Sequence, residues 1–107
     1  MKLITKEVIR EFKKHNKENS KSKDPLVIAK FFNPAGRGSW YATQFNEKKG
    51  VFYGYVTTSS YDCDEFGSFS LEELENFEVP FGLKMERDKF FQSRKLSEIK
   101  QELYGKK

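Results

Sequence analysis

The sequence contains one cysteine, Cys63, and one histidine, His15. A single cysteine excludes a disulfide framework within the chain and leaves a cysteine-based zinc site without its ligands. Cys63 lies between Asp62 and Asp64, and neighbouring carboxylates disfavour a thiolate, so it is a poor nucleophile. His15 lies in a basic segment with no evident acidic orienter. No Ser-His-Asp or Cys-His centre can be assembled from these residues, and no histidine-based metal site. Long apolar runs are also missing. No stretch approaches the length of a membrane span, and the N-terminus, MKLITKEVIREFKKH, places charges where a signal peptide needs an apolar core. The expectation is a soluble, cytoplasmic protein with no membrane partner. GRGSW and GVFYG fit neither phosphate-loop nor dinucleotide-binding patterns, so no cofactor is expected.

What is present is aromatic and charged. The chain has 107 residues, the length of one domain, and 11 phenylalanines within a 16% aromatic content supply material for a core. The stretch from Ser39 to Thr58 organises the rest. SWYATQF and VFYGYVTT flank the polar loop NEKKG, the sequence form of a β-hairpin. Trp40, Phe45, Phe52 and Val56 offer large apolar surface for the core. Tyr41, Tyr53 and Tyr55 offer rings with a polar tip.

The net charge of +4 hides a pattern. Residues 1–23 hold eight Lys/Arg against three Glu, residues 24–79 hold four against nine acids, and residues 80–107 hold eight against four. Basic ends around an acidic middle can be an electrostatic footprint for nucleic acid, or can simply neutralise the middle and keep the chain soluble.

In chain order, Thr5 can cap a helix over about residues 6–16. Ile4, Val8, Ile9 and Phe12 share one side at helical spacing. Lys6, Arg10, Lys13 and Lys17 fall near the opposite side, a cationic stripe able to track a phosphate backbone or to stand as a solvated face. The polar segment 15–25 reads as a loop, and Leu26 to Phe32 as a central or covered strand. A turn-rich segment from Asn33 to Gly38 exposes Arg37 between two glycines. After the hairpin come an acidic loop, a short strand over 66–69, and a helix over 71–76 capped by Ser70. Ser70 and Glu73 have capping-box spacing. Leu71, Leu74 and Phe77 are its apolar side. A last strand is expected over 84–91 and a C-terminal helix over 93–104, with Leu96, Ile99, Leu103 and Tyr104 facing inward. Residues 105–107 read as a flexible tail. This order predicts an α+β fold: one domain over 1–107, an antiparallel sheet built around the hairpin, and helices covering one of its faces. The tyrosines are expected on the other.

Three clusters carry candidate chemistry. Asp62, Asp64, Gly67 and Glu73 match positions 1, 3, 6 and 12 of a calcium loop. Phe66 at position 5 offers no oxygen, however, and a strand replaces the entering helix. The bland alternative is an acidic loop before a capped helix. Lys49 to Val56, KGVFYGYV, is similar to the RNP1 strand of RNA-recognition folds, with its aromatic-Gly-aromatic-Val core displaced by one residue. Tyr53 and Tyr55 share one strand face; exposed they can stack bases, buried they are core with a hydrogen-bonded tip. Glu86-Arg87-Asp88 reads as an ion pair orienting the last strand.

Several segments resemble, in order and spacing, a family of small bacterial proteins of unknown function, commonly carried on plasmids, conjugative elements and phages. These are KLITKE, AKFF, WYATQF, FYGYV, EFGSFSLEELE and GLKMERDKFF, of which W-Y-A-T, F-S-L-x-E-L and E-R-D are the most specific. The resemblance covers nearly the whole chain. It implies an accessory role in mobile DNA and brings no activity or catalytic residue with it. The resulting expectation is a non-enzymatic binding module for a protein or nucleic acid. Lys6, Arg10, Lys13, Lys17, Arg37, Tyr53 and Tyr55 are the nucleic-acid candidates. The alternative is a small metal-independent RNase or toxin-like enzyme using Arg37, Arg87 and Tyr41.

Overall fold

The computed structural model describes residues 2–57 and 65–105. Helix α1 spans Lys6–Lys21 and begins where expected: the Thr5 hydroxyl accepts from the Val8 N–H. It continues well past residue 16. The segment 15–25 is therefore mostly helix, and the reason is polar. Asn16 and Asn19 face the sheet, where their side-chain amides bond strand backbone. Asn16 donates to the Phe45 carbonyl and accepts from the Phe45 N–H, both at 3.0 Å. Asn19, buried, donates to the carbonyls of Leu26 and Thr43 at 2.9 and 2.7 Å and accepts from the Leu26 N–H at 3.0 Å. A segment without large apolar residues thus docks through amides.

Seven strands follow: β1 (Leu26–Val27), β2 (Ala29–Phe32), β3 (Ser39–Asn46), β4 (Val51–Thr57), β5 (Glu65–Ser70), β6 (Glu86–Arg87) and β7 (Arg94–Lys95). Helices α2 (Leu71–Asn76) and α3 (Leu96–Tyr104) complete the chain. The main sheet is antiparallel, in the order β5-β4-β3-β2-β6, and β1 pairs with β7 in a second, two-stranded sheet. The α+β class and the central hairpin stand as expected. Its β3–β4 turn closes on Gly50 at φ +66°, a conformation glycine adopts without strain.

Four further expectations need correction. The strand over 26–32 divides at Ile28, and its two halves pair with different partners. The strand over 84–91 shrinks to Glu86–Arg87, because the Asp88 carboxylate accepts from the Phe90 N–H and turns the chain. The final helix starts at Leu96, after Arg94 and Lys95 have paired with β1. Most consequentially, the helices do not share one sheet face. The core under α1 contains Phe12, Phe31, Phe45, Phe52, Phe69 and Leu74; a second core under α3 contains Val27, Tyr41, Tyr55, Leu96 and Ile99. Both faces of the sheet are therefore covered, and Tyr41 and Tyr55 belong to the second core. Trp40 is only partly buried, its ring edge-on to the exposed Phe77 at 6.0 Å.

Strands β3 and β4 approach closely at Gly54, where a Cβ would stand 2.9 Å from the Ala42 Cα and overlap the Tyr41 carbonyl. One residue on, the β3–β4 register slips, leaving Thr43 as the extra residue of a β-bulge.

The start of α3 is tied to the segment before β1. The Asp24 carboxylate accepts from the Ser97 N–H at 2.8 Å and from its hydroxyl at 2.7 Å. Those bonds, the hydroxyl's first, hold the Asp24 carboxyl below its ordinary value of 3.8.

Two measurements check this frame. Asn19→Ala strands the Thr43 carbonyl and both Leu26 backbone groups, and denaturant unfolding should show a loss of about 1–3 kcal/mol. Because the folded-state pKa of Asp24 is depressed, its contribution is complete above the ordinary carboxylate range and is lost as pH falls through the folded value. Asp24→Ala should therefore lower Tm relative to wild type at neutral pH, and the gap should narrow as pH falls below the ordinary carboxylate value of 3.8.

Candidate nucleic-acid interface

The register of β4 decides the fate of its tyrosines. Tyr53 and Tyr55 point from the same face, as period two requires, yet their surroundings differ. Tyr55 is 7% exposed and lies in the core beneath α3, with its hydroxyl 3.1 Å from that of Tyr104. Tyr53 lies beyond the reach of α3 and is 41% exposed. Of the two readings of this pair, each residue takes a different one.

The open corner holds a residue that sequence reasoning missed. Phe66 of β5 is 42% exposed, with its ring 13° from the Tyr53 plane and the centroids 6.2 Å apart. A signal for it was present: Phe66 and Phe69 are three apart in one strand, so they point to opposite faces. Phe69 enters the α1 core by stacking on Phe52, which sends Phe66 the other way. Lys100 of α3 places its ammonium 4.7 Å from the Tyr55 centroid and 5.2 Å from that of Phe66, a cation over aromatic faces.

The cationic stripe is also real as geometry. Lys6, Arg10, Lys13 and Lys17 are all exposed along α1. Lys13 reaches Glu47 at 3.2 Å, and among the described residues Lys6, Arg10 and Lys17 enter no ion pair. Lys13 and Tyr53 line the same open groove of about 580 Å³, together with Asn16, Gln44, Lys48 and Ser68. Arg37 is not part of it. Arg37 occupies the β2–β3 loop, whereas the groove lies by the β3–β4 turn, at the other end of β3.

The enzymatic candidates are not brought together. Tyr41 is buried beneath α3, and Arg87 donates its Nε to the Leu3 carbonyl at 3.0 Å on the side of the α1 core. The expected ion pair within Glu86-Arg87-Asp88 is replaced by that bond, which ties the N-terminal segment to β6. His15 does have an acidic neighbour, with its Nε2 3.8 Å from Glu11. Of the calcium-loop residues, Asp62 and Asp64 lie outside the described residues, as does Cys63. Gly67 sits within β5 opposite Gly54, and the Glu73 carboxylate accepts from the Ser70 N–H to complete the capping box. Among the described residues no acidic, histidine or cysteine cluster could hold a metal ion, and no helix is long and apolar enough to cross a membrane.

A family model described as "Protein of unknown function (DUF2958)" matches residues 3–102. The chain belongs to that family. No curated protein and no solved structure matches it significantly. The match in this DUF2958 chain runs from Leu3, whose carbonyl accepts from Arg87, to Glu102, which grips Arg94 through two contacts of 2.8 and 2.6 Å. Both faces of the sheet, the stripe and the open corner therefore lie inside the family's bounds. Glu102 raises the pKa of the Arg94 guanidinium above its ordinary value by accepting its hydrogen bond.

The two tyrosines should separate in a stability assay. Tyr55→Ala should cost about 3–5 kcal/mol, as removal of a core ring does. Tyr53→Ala should stay within about 1 kcal/mol, as surface changes do.

Proposed function

We propose that this protein is a non-enzymatic binding module that engages nucleic acid, serving as a cytoplasmic accessory protein of mobile genetic elements. The observation that carries the reading is the α1 stripe. Four exposed cations recur at i, i+4, i+7 and i+11, and three of them have no carboxylate within ion-pair distance among the described residues. At 1.5 Å per residue the stripe is about 16 Å long, enough to follow two or three successive phosphates. A solvated helix face usually interleaves its charges with partners one turn away. Here Glu11 serves Lys14 and approaches His15, and Glu47 takes Lys13, so among the described residues Lys6, Arg10 and Lys17 are left without an ion pair. The mobile-element context rests on the resemblance of KLITKE, WYATQF and GLKMERDKFF to proteins borne on plasmids, conjugative elements and phages.

A protein partner is the second reading, favoured by Phe81 and Phe90. Each is 93% exposed, and Phe81 is held at φ +66° in the Pro80–Gly82 turn.

Fluorescence anisotropy at about 50 mM salt with single- and double-stranded DNA and RNA tests the proposal. Wild type should bind with affinity that falls steeply with salt. Arg10→Glu with Lys17→Glu should weaken binding and flatten the salt slope by roughly 0.7–0.9 per lost phosphate contact, while stability stays within about 0.5 kcal/mol. Failure of wild type to bind any of the four nucleic acids ends this reading and leaves the protein partner.

A further inference from the structure

We infer that the open corner of the sheet beside α3 is a stacking platform for single-stranded nucleic acid, with Tyr53 and Phe66 receiving bases and Lys100 receiving a phosphate. The inference rests on the nucleic-acid reading above and names the form of nucleic acid recognised. Three observations carry it.

The rings come first. Tyr53 and Phe66 stand on adjacent strands, nearly parallel, each about two-fifths exposed. Exposed rings on a rigid strand pair lose little freedom when a base settles on them, and every base has a face to offer. A duplex keeps its base faces stacked inside and cannot use such a surface.

Charge is the second. The chain between 24 and 79 is acidic, yet the outward positions of β3, β4 and β5 on this face carry no carboxylate. Beside Tyr53 and Phe66 they hold Gln44 and Ser68, both opposite Tyr53 in the register. The nearby acids are engaged elsewhere: Glu98 accepts from the Lys95 N–H, Glu102 binds Arg94, and Asp24, close enough to feel the Lys100 charge, accepts from the Ser97 N–H and hydroxyl. Lys100 is left as the cation over the rings, the arrangement that pairs a phosphate with a stacked base.

Continuity is the third. The groove that includes Tyr53 and Ser68 also includes Lys48 of the hairpin turn and Lys13 of the α1 stripe, the latter paired with Glu47 of the same groove. A strand stacked on the platform has a path to the helix cations, whereas a partner docking by apolar contact alone would have no use for one.

The test uses the full chain with fluorescein-labelled dT15 and a 15-base-pair duplex. Tyr53→Ser with Phe66→Ser should lower affinity for dT15 by about tenfold or more and leave the duplex affinity unchanged. Tyr53→Trp should retain dT15 binding, and Lys100→Gln should reduce the dT15 salt slope by about 0.7. Should the double variant fold poorly, ultraviolet crosslinking of wild type to an iodouridine-substituted strand replaces it, with adducts expected on the peptides containing Tyr53 and Phe66. Undiminished dT15 binding by a folded double variant, or adducts confined to other peptides, overturns the platform. If Arg10→Glu with Lys17→Glu still abolishes binding in that case, the nucleic-acid reading survives without it. Absence of all oligonucleotide binding by wild type overturns both.

Discussion

The fold depends on how the far half of β3 is satisfied. Strand β2 pairs with β3 only from Ser39 to Ala42, because the chain before Ala29 turns away to meet β7. Residues 43–46 of β3 would then present bare backbone to the interior. Ile28 donates to the Ala42 carbonyl, Asn19 to that of Thr43, and Asn16 exchanges both bonds with Phe45. Two asparagine amides on a helix thus stand in for a missing strand. An unpaired buried peptide group costs more than a made bond returns, so α1 is fixed in rotation as well as position. That rotation turns Phe12 onto Phe45 and Phe52 and holds Lys6, Arg10, Lys13 and Lys17 toward solvent. The cationic stripe is a consequence of the asparagines beneath it.

The same strand shapes the other face. Thr43 is the extra residue of the bulge, and its hydroxyl donates to the Tyr53 carbonyl at 3.2 Å. Beyond this point the sheet outruns its cover. The nine-residue helix α3 shields Tyr41 and Tyr55 and ends at Tyr104, whose hydroxyl meets that of Tyr55. Tyr53 and Phe66 fall outside that shelter.

Local rules were the legible part of the sequence. The hairpin, the Thr5 cap, the Ser70–Glu73 capping box and the α2 boundaries follow from residue type and spacing within a few positions. What escaped was long-range. Nothing within 15–25 says that Asn16 will find Phe45, 29 residues away. Likewise the Arg87 bond to Leu3 spans 84 residues, and without it Glu86-Arg87-Asp88 looks like an ion pair. Period two gave Tyr53 and Tyr55 a common face, but which of them a helix covers depends on where α3 docks. Phe66 lay closest to being readable: its spacing from Phe69 forces one of the two rings out of the α1 core.

Net charge is a poor guide to where an anion would settle on this molecule. Exposed charges more than about 8–10 Å apart are largely screened from one another at physiological salt. Local neighbours therefore decide. The acidic middle of the chain places Glu72, Glu73 and Glu75 on α2, whose Leu74 packs into the α1 core, and Glu47 at the hairpin turn beside Lys13. On the α3 side, the sheet positions of β3, β4 and β5 carry none of these carboxylates. The basic ends of the chain thus reach opposite faces of the sheet in unlike company. The helix with more cations, α1, shares its side with Glu47 and packs on the core that receives Leu74 of the acidic α2, while the strand positions beneath Lys100 carry no carboxylate. Among the described residues, a lysine ammonium over an exposed ring occurs at that second place, so the two cationic surfaces differ in chemistry as well as in number of charges.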